Sequence, residues 1–384
     1  MKEPIYLDHN GTTPHAPEVI AAMRPFLENV FGNPSSSHWY GIRPKRAVEQ
    51  ARRQVAALLG CAPAEVVFTS GGTESNNHAL RGVAAALSGR GRHIVTSAVE
   101  HPAVLAVCRH LEARGVAVSV VPVDGQGLVN PADVAAAIRP DTILISLMHA
   151  NNEVGTIQPL AEVAALARPR GILVHSDAAQ SVGKIPVDVA ALGVDLLSVA
   201  GHKLYAPKGV GALYIRRGVG LEKLLHGAGQ ENGRRAGTEN VLEIVGLGQA
   251  CELAARDPEA NRARQQTLRD RLETLLFAGL DDVRRNGHPV ERLPNTLSVS
   301  FKGLEANRIL EEIGLEVAAS AGAACHAETV AVSHVLEAMA LPLEWAKGTL
   351  RFSLGRMTSA AEIERAAAVV TAAVVKLRQA AAQA

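Results

Sequence analysis

Two apolar runs set close together constrain the fold of this chain more than any other feature. Residues 172–208 read ILVHSDAAQSVGKIPVDVAALGVDLLSVAGHKLYAPK. One run ends at Asp177; the second ends near Ala200 and is followed at once by Gly201, His202 and Lys203. Their length and β-branched content are those of strands buried on both faces of a parallel sheet. In such sheets ligands sit just beyond the carboxyl ends of the strands, so Asp177 and Lys203 are expected to face one crevice. A carboxyl group and an amine delivered to one spot suit a cofactor that needs a Schiff-base lysine and an acid beside a pyridine nitrogen, which describes pyridoxal 5'-phosphate.

The flanking sequence repeats the pattern. Strand-like runs at 66–69, from His93 to an end at Glu100-His101, at 118–123 and at 142–148 alternate with helical spacings, including a helix from Pro131 to Ile138 and another through Leu160–Ala167. That order implies an α/β fold with a mainly parallel sheet and helices on both faces. Polar residues then follow five strand ends, at 70–74, 100–101, 149–153, 177–180 and 201–203. One rim receives them all. At the first, Ser70-Gly71-Gly72-Thr73-Glu74 joins strand to helix; such a turn either cradles a phosphate on free N–H groups or simply caps the helix. The loop FGNPSSSHWYG at 31–41, with Asn33, His38 and Trp39, is compatible with a site lining or a surface connection. The basic, Gly-rich stretch HGAGQENGRRAGTEN at 226–240 offers Arg234 and Arg235 to a phosphate, or is a solvated linker.

Helical spacing covers 17–27, 44–59 and 241–255, and the charged segment after 255 reads as a long exposed helix leaving the sheet. Beyond it the chain changes character. A half-buried strand is expected at 293–301, a helix at 304–314, a strand running into a small-residue loop with Cys325, a strand at 350–356 and a terminal helix at 359–378. The expected division is a large domain of residues 15–258 and a smaller α+β domain of residues 1–14 and 259–384.

Charge and cysteine usage exclude several functions. The 39 basic and 38 acidic residues give a net charge of +1, so nothing calls for nucleic acid or a membrane surface. The N-terminus has acids and no signal-length apolar core, and no window of about 18 apolar residues follows, so a cytoplasmic protein is expected. Cys61, Cys108, Cys251 and Cys325 are scattered and form no CxxC pair, which signals neither a zinc site nor a disulfide framework.

With these pieces together, the sequence resembles the cysteine desulfurases, NifS/IscS-like members of the class V aminotransferase family. The motifs are TSGGTESNN, VEHPAV, ANNEVGTIQP, HSDAAQSVGK, GHKLYAPKGVGALY, GRRAGTEN, SAGAACH and RFSLGR, spread from Tyr6 to about Arg356. The resemblance implies a fold-type I pyridoxal-phosphate architecture, with a large domain built on a seven-stranded sheet. It implies Lys203 as the Schiff-base lysine, Asp177 as partner of the pyridine nitrogen and His101 as the imidazole stacked on the ring, beside Gln180 and Asn152. Gly72, Thr73 and His202 match phosphate contacts, and Thr238 matches one supplied by the other subunit of a homodimer. Arg351 matches the holder of the substrate carboxylate, aided by Asn33 and Asn152, and Cys325 matches the persulfide-forming cysteine. The chain departs from the pattern at Ala200, where relatives often have serine, and at Gly11, where they usually have alanine.

The implied reaction turns L-cysteine into L-alanine, with sulfur passing to Cys325 and on to an acceptor such as an iron–sulfur scaffold protein. A thiol of ordinary pKa, about 8.5, is only slightly ionised at neutral pH, so Cys325 needs help from its surroundings, for which His326 is a candidate. Two relatives of this activity share the scaffold. A selenocysteine lyase would release selenium from L-selenocysteine through the same residues, and a class V aminotransferase would need Lys203 and Asp177 but not Cys325.

Overall fold

A computed structural model describes residues 3–326 and 329–383, with the side chains of 323–331 and of Gln383 outside that description. Seven strands form the larger sheet, in the spatial order Val66–Thr69, Gly211–Ile215, Leu196–Ala200, Leu173–Asp177, Thr142–Ser146, His93–Ser97 and Ala117–Val121. Neighbours run parallel except around Gly211–Ile215, which is antiparallel to the strands on both sides. This strand has no counterpart in the sequence reading. Its five residues, GALYI, follow the lysine loop too closely to leave room for a helical crossover, and an antiparallel return needs none.

Alternation along each strand explains how one sheet carries two helical layers. Phe68, Val95, Ile145, Leu197 and Ala212 pack with helices Trp39–Leu59, Leu160–Ala167 and Val241–Arg256. Their chain neighbours Val67, Ile94, Leu144, Leu196 and Leu213 point the other way, toward Gly72–Ala86 and Pro102–Glu112. A strand with period-two side chains can be apolar at every position only when both faces are covered. That cover leaves the polar strand ends as the exposed rim.

The second sheet is antiparallel, in the order Ser320–Ala321, Thr349–Ser353, Thr296–Phe301 and Val283–Asn286. Leu297, Val299, Phe301, Leu350 and Phe352 pack against Leu268, Leu272, Val370 and Val374 of helices Pro258–Gly279 and Ala360–Gln383. The strand expected to be half-buried is buried at all six positions. Its polar face is covered too, and Ser298 and Ser300 accept hydrogen bonds from Asn286 while Ser300 also pairs with Thr349. At the N-terminus, Ile5–Tyr6 pairs in parallel with Val317–Ala318, which brings the next few residues across to the larger sheet.

Several boundaries differ from the sequence reading. The strand from His93 stops at Ser97 rather than at Glu100-His101, because His101 already caps the helix Pro102–Glu112. The helix expected from Pro44 begins at Trp39, because a proline five residues in costs only the hydrogen bond to the Tyr40 carbonyl. The small-residue loop at 322–332 contains a hairpin, Ala323–His326 paired with Thr329–Val332. No helix among the described residues is long and apolar enough to cross a membrane.

Candidate active site

The strand ends of the larger sheet meet Arg351 of the smaller one around a cleft of about 420 Å³. Its walls include Gly72, Thr73, His101, Asn152, Asp177, Gln180, His202, Lys203 and Arg351. Nine of the twelve residues singled out from sequence thus share one space, although they span most of the chain. Asn33 and Thr238 stand outside it, exposed on their loops, with Asn33 Oδ1 accepting from the Ser35 amide at 2.9 Å. The side chain of Cys325 lies outside the described residues.

Asp177 closes the strand Leu173–Asp177 and is buried. Asn76 Nδ2 donates to its Oδ2 at 2.7 Å and the Ala179 amide donates to its Oδ1 at 3.0 Å, which fixes the carboxyl plane. Asn76 was not picked out from sequence. It follows Gly72 by four residues on one helix, the spacing that puts both on the same face, and this was the available signal.

Lys203 lies in the short turn after the adjacent strand, and its Nζ donates to the carbonyls of Asn10 and Gly11, both at 2.6 Å. Burial lowers the pKa of the amine to about 8, and the Arg351 charge pushes the same way. A usable fraction is therefore neutral and nucleophilic near that pH. Asn10 organises this wall further. Its carbonyl also accepts from Gln180 Nε2 at 3.0 Å, and Lys184 Nζ bridges Asn10 Oδ1 at 2.9 Å and Gln180 Oε1 at 2.7 Å.

His101 caps helix Pro102–Glu112, accepting from the Ala103 amide on Nδ1 at 3.1 Å. The neutral ring consequently carries its proton on Nε2. Burial lowers its pKa, Asp177 opposes that shift, and Lys203 and His334 add to it. His202 is driven further, to about 4, by burial and by Lys203 and Lys208, so it serves as a neutral hydrogen-bonding group.

Helix Gly72–Ala86 starts at the cleft, with Gly71 at φ 148°, a conformation open to glycine alone in practice. The first-turn N–H groups of any helix lack intrahelical acceptors and attract anions. A Cβ on Gly72 would come within 3.2 Å of the Ala200 methyl, so only glycine leaves this cradle its width. Arg235 ties the basic loop to the same turn, donating to Glu74 at 2.9 and 3.2 Å.

On the opposite wall, Arg351 Nη1 donates to the Asn152 carbonyl at 3.0 Å. Arg351 is centred between two partners, Ser298 on one strand and Ser320 on the other. Gly322 follows directly, bonded to Thr349, and Ser333 closes back on Gly322. The hairpin bearing Cys325 therefore springs from the same sheet that presents Arg351. The other thiols have no such setting: burial raises Cys61, Cys108 and Cys251 each to about 12.

A strand-end acid, a neighbouring lysine, a capping imidazole and an anion cradle on one rim define a pyridoxal-phosphate enzyme of the aminotransferase type. The chain belongs to the Aminotransferase class-V family, which it matches over residues 5–366. Within that family it belongs with the cysteine desulfurases. It is 48% identical to the cysteine desulfurase IscS of Dictyoglomus turgidum, covering 98% of this chain and 96% of that one. Among solved structures, a NifS-like protein superposes with a TM-score of 0.91 at 37% identity, covering 98% of this chain and 99% of the other. SspA in complex with cysteine does so with a TM-score of 0.82 at 37% identity, covering 92% and 100%.

Members of this family depend on pyridoxal phosphate, and the cleft fits it. The anion cradle suits the phosphate, the fixed Asp177 suits the ring nitrogen, and the Asn152 amide has no partner among the described residues.

Proposed function

We propose that the protein converts L-cysteine to L-alanine and takes the sulfur onto Cys325 as a persulfide. The observation that carries this reading is the convergence of Asp177, Lys203, His101 and the Gly72 cradle opposite Arg351, with the Cys325 hairpin rising from the strand beside Arg351. Cysteine as the ligand is supported by the cysteine complex of SspA and by the names of the relatives.

Bound pyridoxal phosphate would supply an electron sink for the pair left when the substrate's Cα proton is removed. The residues of the chain do the rest. Asp177 would hold its carboxyl group toward the ring nitrogen and favour the protonated form. Lys203, with its lowered pKa, and His101, with its proton on Nε2, are placed to move protons at Cα and Cβ. Arg351 and Asn152 hold the substrate carboxylate, and Asn33, outside the cleft, is left out of this set. Cys325, as thiolate, attacks the substrate sulfur. The substrate C–S bond breaks, an S–S bond forms on Cys325, and a proton ends on the product methyl group. L-cysteine and one thiol thus give L-alanine and one persulfide, with no outside oxidant or reductant.

The persulfide sulfur then passes to an acceptor, for which an iron–sulfur scaffold or another sulfur-carrier protein is the proposed class. The working unit in this reading is a homodimer in which Thr238, exposed on a loop anchored beside the cradle, serves the partner's phosphate site. A cytoplasmic location without nucleic-acid or membrane partners belongs to the same reading and is supported by the near-neutral charge. The proposed domains, 15–258 and 1–14 with 259–384, are supported by separate apolar cores.

Replacing Asp177 with asparagine tests the site assignment. The Asp177→Asn holoenzyme is expected to retain its visible cofactor band and to lose roughly 100-fold or more in kcat/KM for L-cysteine. A loss below about threefold would remove Asp177 from the mechanism.

A further inference from the structure

The cation assigned to the substrate carboxylate already has a carboxylate of its own. Arg351 Nη2 donates to Asp8 Oδ1 at 2.6 Å while Nη1 holds the Asn152 carbonyl. The Arg351 Nε–H is buried with no partner among the described residues, and each Nη keeps a second N–H beyond the bond it makes, so the guanidinium retains donors for a ligand. The pair is largely shielded from solvent, with side-chain exposures of 11% for Arg351 and 28% for Asp8. Asp8 belongs to the N-terminal segment, outside every motif that marks the site in the sequence.

A turn brings it there. The amides of Gly11 and Thr12 both donate to the Asp8 carbonyl, at 2.9 and 3.3 Å, which folds Gly11 back onto the Asp8 side chain. A Cβ on Gly11 would overlap Asp8 Oδ2 and come within 2.9 Å of Cγ. The backbone at Gly11 is not in the left-handed region, so alanine is admissible there. What would have to move is the Asp8 carboxyl, the free end of a flexible side chain. Position 11 therefore decides whether Asp8 reaches Arg351.

We propose that Asp8 is a specificity-setting residue, an internal carboxylate that occupies Arg351 in the free enzyme and yields to the substrate's carboxylate, with Gly11 as the residue that admits it. The proposal rests on the assignment of Arg351 to the substrate carboxylate. Substrate affinity is then the difference between two ion pairs rather than the worth of one. L-Cysteine and L-alanine carry the same carboxylate and are weakened alike, which favours release of product. A substrate with a second carboxyl group meets the displaced Asp8 as a like charge and is disfavoured.

The test uses the holoenzyme and compares the parent with Asp8→Asn, Gly11→Ala, the double variant and Arg351→Lys. KM and kcat for L-cysteine and the inhibition constant of L-alanine are measured for each. Asp8→Asn and Gly11→Ala should each lower KM and the alanine constant together by about three- to tenfold, with kcat within about threefold of the parent. The double variant should equal either single one, since the same contact is removed. Gly11→Ala carries the test alone if Asp8→Asn does not fold. Constants that rise or stay put in Gly11→Ala, or single effects that add, overturn the proposal. Arg351→Lys separates the two assignments: if it raises KM while Asp8→Asn and Gly11→Ala do nothing, only the role of Asp8 fails. If it leaves KM unchanged, Arg351 does not hold the carboxylate and both fail.

Discussion

At the scale of single residues, Glu100 shows how the site rim is held and what that costs. Its carboxyl is buried beside His101, with Oε1 accepting from Ser97 Oγ at 2.7 Å and the Met148 amide at 2.9 Å, and Oε2 without a partner among the described residues. Burial raises its pKa to about 8, so the folded protein holds a proton that the unfolded chain releases near the ordinary value of 4.5. Between these two values the native state binds more protons, and stability falls as pH rises. Glu100→Gln should change stability little near pH 5 and raise it by pH 9, on the order of 4 kcal/mol, as read from unfolding midpoints at both pH values. An effect independent of pH would mean that Glu100 is not protonated in the folded protein. Residues of this kind were only half legible in the sequence. Asp177, Lys203 and His101 stand at strand or helix ends, where local pattern reveals them. Asn10 lines the cleft, and Asp8 and Lys184 brace its wall residues Arg351, Asn10 and Gln180, through tertiary contacts of an N-terminal segment and a loop, which no local period encodes.

At the scale of elements, the site depends on where strands stop and on how the Cys325 hairpin is tethered. The hairpin base is fixed twice. Ser333 bonds back to Gly322 and caps the following helix, and His334 Nε2 donates to the Glu100 carbonyl at 2.9 Å, linking the hairpin to the residue before His101. Removing that link with His334→Ala should reduce kcat for L-cysteine about tenfold while leaving KM within about twofold, because sulfur transfer needs the hairpin placed and substrate binding does not. A raised KM with normal kcat would contradict this. Most elements were readable in the sequence as apolar runs bounded by glycine and proline. The strand Gly211–Ile215 and the start of the helix at Trp39 were not, since one is defined by its partners and the other lies in a segment rich in turn formers.

For the whole molecule, two sheets with separate cores meet at one cleft, and a smaller cluster joins them. Val99, Met148 and Val154 from the rim of the larger sheet pack with Val335, Leu336 and Met339, just after the hairpin. This apolar contact packs the segment after the hairpin against the rim of the larger sheet. The proposed dimer completes the phosphate site, and a solution mass equal to a single chain would remove Thr238 from it. Its exposure within one chain is the reason the sequence pointed to it by resemblance alone. The account as a whole turns on Cys325. The most direct measurement follows L-alanine and sulfide from L-cysteine under reducing conditions, for the parent and for Cys325→Ala, with the visible cofactor band recorded in both. The account predicts equal amounts of both products from the parent, and a variant that keeps its cofactor band but stops turning over. A Cys325→Ala protein as active as the parent would contradict it.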